Sequence, residues 1–135
     1  MENEKTNELL KIDPRELACN KNICFSLCDD ASPKKQEFYK QQRIERGFDD
    51  SETWNLDNTL SSFILPRLKV LREVTTGFPR ELDSLDDWKE ILDKMIRAFE
   101  LELEDDFDTP MDAKNERAFN EGINLFAHFY RSLWW

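Results

Sequence analysis

Gly47-Phe48-Asp49-Asp50-Ser51-Glu52-Thr53-Trp54-Asn55-Leu56-Asp57 is the stretch whose reading decides the fold. A glycine that stops one helix is followed at once by an Asp-x-x-Glu pair, Asp49 and Glu52, able to cap the free amides of the next. Leu56, Leu60, Phe63, Ile64, Leu68 and Leu71 then keep helical spacing, which predicts a helix from about Asp49 or Asp50 to about Val74. Two helices therefore meet at a fixed angle, with Trp54 expected to be buried in the joint. Pro66 cannot supply the amide that would bond the carbonyl of Ser62, so a kink, or two helices meeting there, is expected.

Working outward, Ser32-Pro33 starts the helix that Gly47 ends, by a cap followed by a proline at the first helical position. Phe38, Tyr39 and Ile44 are its few apolar residues, so it should pack by a narrow edge and leave its basic face in water. On the other side, Gly77-Phe78-Pro79 is a stop and Ser84-x-x-Asp87 a new start. The helix that follows carries Trp88, Ile91, Leu92, Met95, Ile96, Phe99 and Leu103 on one face. Asp105 to Pro110 reads as a linker. From Met111 a last helical pattern runs through Phe119, Ile123, Phe126, Tyr130 and Leu133 towards Trp134-Trp135. Residues 1–31 read differently: Asp13-Pro14-Arg15-Glu16 opens a short helix to about Cys19, and an irregular arm follows.

With only three Gly and five Pro in 135 residues, the chain lacks the turn residues of an all-β protein. The expectation is all-α: an N-terminal arm over 1–31 and a compact bundle of about four helices over 32–135, with a modest, aromatic-rich core. No apolar run approaches the roughly 18 residues that span a bilayer, and the start Met1-Glu2-Asn3-Glu4-Lys5 has no signal-peptide character. A soluble cytoplasmic product, without a membrane partner, is expected.

The core at Gly47 to Asp57 has the form Gly-aromatic-x-Asp-x-acidic-x-Trp-x-Leu-Asp. It is followed by Phe63-Ile64-Leu65-Pro66-Arg67-Leu68, by Trp88-Lys89-Glu90-Ile91-Leu92-Asp93-Lys94-Met95-Ile96-Arg97-Ala98-Phe99-Glu100, and by Leu125-Phe126-Ala127-x-x-x-Arg131-x-Leu133-Trp134. In this order the four elements resemble a family of small proteins encoded by bacteriophages. The resemblance covers Gly47 to Trp134 and implies a setting, the host-cell cytoplasm, with a host or viral protein as partner. It implies no reaction.

Charge is unevenly spread. The net value is −10, and Glu81 to Asp108 holds twelve carboxylates against Lys89, Lys94 and Arg97, for −9 in that stretch. Pro33 to Arg46 is the opposite, +3, from Lys34, Lys35, Lys40, Arg43 and Arg46 against Glu37 and Glu45. The overall sign disfavours direct binding to duplex nucleic acid and attracts a basic protein surface. The plain alternative is that acidic helix faces keep an aromatic protein soluble.

Four constellations are candidates for chemistry. Cys19, Cys24 and Cys28, with His128, Asp29 or Asp30 as a fourth ligand, lack the paired spacing of a zinc site and read as reduced, partly buried thiols. Glu90-x-x-Asp93 and Glu100-x-x-x-Glu104, with Asp57 from a neighbouring helix, have the spacing at which some all-α nucleotide hydrolases hold magnesium. Such pairs also arise in any acidic helix, and a solvated face is the simpler reading. His128, the one imidazole, lies in an aromatic helix and reads as a partly buried packing residue or a hydrogen-bond donor, not a general base. Asp57, close to the apolar stripe, is expected to pair with Arg43 or Arg46.

No catalytic residue, metal site or cofactor is expected. The leading expectation is a non-enzymatic binding protein whose partner surface uses Glu90, Asp93, Glu100, Glu104, Tyr130, Trp134 and Trp135. The aromatic run from Phe126 to Trp135 exceeds what one helix face buries, which also predicts a homo-oligomer. The role expected in this setting is inhibition of a host defence system, for which the acidic face from Glu81 to Asp108 mimicking DNA is one route. The rivals are a virion assembly factor and a nucleotide-handling protein, either the magnesium hydrolase or an oligomer sequestering a signalling nucleotide on Lys34, Lys35, Arg43, Arg46 and Arg67.

Overall fold

A computed structural model describes residues 32–106 and 108–135. The short helix expected at Asp13, the arm and the three cysteines lie outside the described residues. Those described form four α-helices: α1 Pro33–Arg46, α2 Leu56–Val74, α3 Leu85–Glu104 and α4 Ala113–His128. Two 3-10 turns, Asp50–Thr53 and Tyr130–Ser132, complete the order, and among the described residues the only strand-like pairing is an isolated bridge between Asp106 and Thr109. The protein is all-α, as composition predicts. It divides into two compact units, Met1–Thr59 and Leu60–Trp135.

In the first unit α1 begins and ends as its sequence dictates. Ser32 Oγ accepts from the Lys35 amide at 3.4 Å, with Pro33 at the start of the helix. Gly47 adopts the left-handed conformation, φ 86°, and donates its amide to the Arg43 carbonyl at 2.9 Å. Asp49 and Glu52 make the expected capping box: the Asp49 amide donates to Glu52 Oε2 at 2.6 Å, and Asp49 Oδ1 accepts from the Ser51 amide at 2.8 Å. That box closes a 3-10 turn, not the first turn of a long helix. The chain turns again at Trp54-Asn55 before α2 starts at Leu56, and the Thr59 hydroxyl spans the break by donating to the Glu52 carbonyl at 2.8 Å.

This break overturns the expected burial of Trp54. Its ring is 58% exposed and meets Tyr39 edge-on at 6.1 Å. What occupies the joint instead is polar. Arg43, which belongs to the basic helix expected to face water, is buried and bonded to the fully buried Asp49 carboxylate. Outside that pair, Arg46 bonds Asp50 and lies over the Phe48 ring at 4.3 Å, while Gln42 exchanges two hydrogen bonds with Asp50. The arginines expected to pair with Asp57 thus take Asp49 and Asp50, the acids nearest to them in the turn; Asp57 is exposed.

The second unit has a continuous apolar core of Leu68, Trp88, Leu92, Met95, Ile96, Phe99 and Phe129. Five of these come from the α3 face read from the sequence, and Leu103 at its end is exposed. Ser84 Oγ accepts from the Asp87 amide at 3.1 Å and fixes where α3 begins. Across α3 and α4, Phe99 meets Phe126 edge-on at 5.2 Å, and Gly122 sits directly against Ala98 and the Lys94 carbonyl. α2 contributes Leu68 to the core, and its Arg72 and Lys69 bond Asp93 and Glu100 of α3.

Two further expectations change here and one narrows. α2 runs through Pro66 as one helix, so of a kink or a division into two helices the division is removed. Of its stripe, Leu56, Leu60 and Phe63 are exposed, and Leu68 is the buried member. The last helix stops at His128, short of the tryptophans, because the chain tightens into the 3-10 turn as Phe129 inserts against Trp88 at 5.3 Å.

Candidate functional site

The aromatic end of the second unit is assembled from three pieces of chain. The first is the loop after α2, where the buried Thr75 hydroxyl donates to the Gly77 carbonyl at 3.1 Å and the Leu82 amide closes a turn on the Pro79 carbonyl at 3.0 Å. The second is the opening of α3, which puts Trp88 one turn past the Ser84 cap. The third is the tail, where the Trp134 amide donates to the Ser132 carbonyl at 2.9 Å and turns the chain back after Tyr130–Ser132.

Together they enclose a pocket of about 220 Å³. Phe78, Trp88, Trp134 and Trp135 supply its rings. Thr76, Gly77, Pro79 and Ser132 fill the wall between them. Trp88 is 1% exposed and serves as a fixed floor, whereas Trp134 and Trp135 are 74% and 77% exposed. At this end of the unit the last helical residue, His128, is within 2.9 Å of the Glu81 carboxylate through Nε2. Of the two expected roles His128 thus takes the hydrogen-bonding one, exposed and partnered by an acid; the buried neighbour is Phe129, whose ring meets the imidazole edge-on at 4.6 Å.

The acidic candidates on α3 are spread along a face threaded with cations. Arg72 grips Asp93 through two bonds, Nε at 2.6 Å and a terminal nitrogen at 3.2 Å, and this partner raises the arginine pKa. Glu100 lies 3.4 Å from Lys69 and 3.5 Å from Arg97, and Arg97 also reaches Glu104 at 3.3 Å. Lys94 bonds Glu121 at 2.7 Å; that bond is the main cause of its raised pKa, with Glu90 adding a smaller pull. All these pairs are exposed, where each is worth little by itself. They make the face a mixed one, and among the described residues no group of three or more His, Cys, Asp or Glu is placed to hold a metal ion.

The basic candidates are divided between the two units. Lys34 and Lys35 lie exposed in the first turn of α1, but Arg43 is buried against Asp49 and Arg46 is engaged by Asp50. Asp50 is in turn held below the ordinary aspartate range, first by the hydrogen bond from Gln42 and then by Arg46. Arg67 belongs to the other unit, where it stacks on Phe63 at 3.8 Å and donates to the Phe63 carbonyl at 2.8 Å.

Of the residues read from the sequence as a partner surface, Trp134 and Trp135 line the pocket, and Tyr130 is exposed with one ring contact to Phe126 at 5.7 Å. Phe78, Pro79 and Trp88 were not read as part of it. Gly77-Phe78-Pro79 reads in sequence as a helix stop, and Phe78 is 45% exposed. Among the described residues no helix is long and apolar enough to cross a membrane. Comparison with protein-family models, with curated proteins and with solved structures finds no match.

Proposed function

We propose that this chain is a non-enzymatic binding protein that grips a partner protein through the aromatic end of its second unit. The observation that carries the reading is the exposure of Tyr130, Trp134 and Trp135, at 64%, 74% and 77%, beside a pocket lined with rings. A chain of this size hides such rings in its own core unless something else covers them, and Trp and Tyr dominate binding energy at interfaces. The net charge of −10 favours a basic partner surface. The bacteriophage resemblance supports a host or viral protein as that partner, met in the host-cell cytoplasm, with inhibition of a host defence system as the role. Nucleotide handling draws less support, because two of its five cations are taken up by Asp49 and Asp50.

Capture of partners from infected cells on the tagged full chain tests this reading, run in parallel with the Trp134→Ala, Trp135→Ala double variant. The same partner should come down with the unaltered chain and fall roughly tenfold with the variant, at unchanged circular dichroism. Equal recovery would refute it. Self-association through the same rings is part of the proposal, since a two-fold pair would cover them twice with one surface. Sedimentation equilibrium at micromolar concentration should show a dimer or larger species, and a strict monomer would remove that element.

A further inference from the structure

We propose that the pocket between Phe78, Trp88, Trp134 and Trp135 receives a single arginine side chain from a basic segment of the partner. The proposal rests on the protein-binding reading above and names the chemistry of its anchor. Three observations carry it: size, lining and charge.

At about 220 Å³ the pocket is smaller than the roughly 300–1,000 Å³ of sites that enclose a small molecule, so it suits one long side chain better than a nucleotide. Phe78, Trp134 and Trp135 are the exposed rings of its lining, over the buried Trp88, and aromatic rings attract a cation, most of all a guanidinium, planar and weakly hydrated, that stacks on tryptophan. Thr76 and Ser132 add hydroxyl oxygens that can accept from its N–H groups. The chain that joins two of the lining residues has the complementary sign. Between Pro79 and Trp88 it holds Glu81, Asp83, Asp86 and Asp87 against Arg80, while Lys89 and Arg131 are the further cations next to a lining residue. Glu81 is fixed at this end of the unit by its contact with His128. A neutral aliphatic side chain would fill the space but gain nothing from the faces or the carboxylates. A carboxylate would be repelled.

The test uses the full chain and two capped peptides, Gly-Arg-Gly-Arg-Gly and the same sequence with citrulline in place of arginine. Citrulline keeps the shape and removes the charge. Indole N–H resonances of Trp88, Trp134 and Trp135 are followed during each titration. The arginine peptide should shift all three and bind about tenfold or more tightly than the citrulline peptide. Trp134→Ala should weaken the arginine peptide several-fold while leaving net charge and circular dichroism unaltered, and Phe78→Ala should do the same from the opposite wall. Equal binding of the two peptides would overturn the proposal, as would absence of indole shifts at millimolar peptide. Arginine binding that survives Trp134→Ala and Phe78→Ala would assign the attraction to diffuse acidity, which also overturns it. These failures leave the partner-capture experiment standing, whereas equal capture by the tryptophan variant would sink the binding reading itself.

Discussion

Gly122→Ala should destabilise the second unit, and the structure sets the sign. In the interior of a helix, alanine is favoured over glycine by about 1 kcal/mol, so on propensity alone the change would stabilise α4. A methyl group at position 122, however, would lie 2.4 Å from the Ala98 Cβ and 2.4 Å from the Lys94 carbonyl oxygen. Ordinary carbon contacts lie near 3.5–4.0 Å, so the overlap is on the order of 1 Å. No rotamer change relieves it: one obstacle is a Cβ and the other a helix carbonyl. The two helices must separate, which loosens the contact between Phe99 and Phe126 and the seating of Met95 and Ile123. Overpacking of this kind costs about 1–3 kcal/mol and sometimes more. With both obstacles rigid, the upper end applies, and a net loss of about 2 kcal/mol is expected after the propensity gain. Urea melts followed by circular dichroism should show a lower midpoint at similar slope. Adding Ala98→Gly removes one of the two clashes and should restore part of the loss. Gly77→Ala, where an added Cβ meets nothing within 4 Å, serves as the control and should stay within about 1 kcal/mol of the unaltered chain. Equal or higher stability for Gly122→Ala would refute the close approach of α3 and α4.

Asp49→Ala leaves the buried Arg43 without its carboxylate and removes the cap, so a loss of about 3–5 kcal/mol is expected in the same melts; a loss below about 1 kcal/mol would show that the pair is not buried. Trp54→Ala should cost less than about 1 kcal/mol, since its ring is 58% exposed, and the several kcal/mol of a buried ring would contradict that placement. Asp50 has a depressed pKa in the folded protein, so its contribution to stability is present above the ordinary aspartate range and is lost as pH falls through the lowered value. Carboxyl NMR titration should show that low midpoint, and Gln42→Ala should raise it; an unchanged midpoint would reject Gln42 as the main cause.

Local signals translated into structure wherever the physics was local. Ser32 before Pro33, Gly47 in the left-handed region, the Asp49 and Glu52 box and the Ser84 cap each satisfy backbone groups within a few residues, and each formed, although the box closes a 3-10 turn where the sequence predicts the start of the long helix. The α3 face was legible for a different reason: over twenty residues its apolar period leaves one way to bury Trp88, Leu92, Met95, Ile96 and Phe99 together. Trp54 failed because size and hydrophobicity do not decide burial when a capping box closes a short turn and the chain restarts one turn later. Arg43 failed in the opposite direction. Nothing in its own helix marks it for burial, since the carboxylate that makes burial tolerable comes from the turn beyond Gly47.

The site was half legible for the same reason. Trp134 and Trp135 could be singled out by a surplus of rings, a property of composition, but the pocket depends on Phe78 and Trp88, brought there by a loop and a helix start that lie far away in sequence. The acidic residues show the converse. Asp93, Glu100 and Glu104 stood out by spacing, yet Arg72, Lys69 and Arg97 reach them, so that face offers a partner less bare charge than its composition suggests. On the proposed reading this divides the labour of recognition. The net charge of −10 acts at a distance and is screened by salt, which makes it a determinant of how fast a basic partner arrives. The rings act only on contact, in a space from which water is displaced, and so decide how long the partner stays. Removing a carboxylate from α3 therefore alters arrival and its salt dependence, and removing Trp134 alters departure; an aromatic anchor can be specific here because the acids around it only bring the partner within reach.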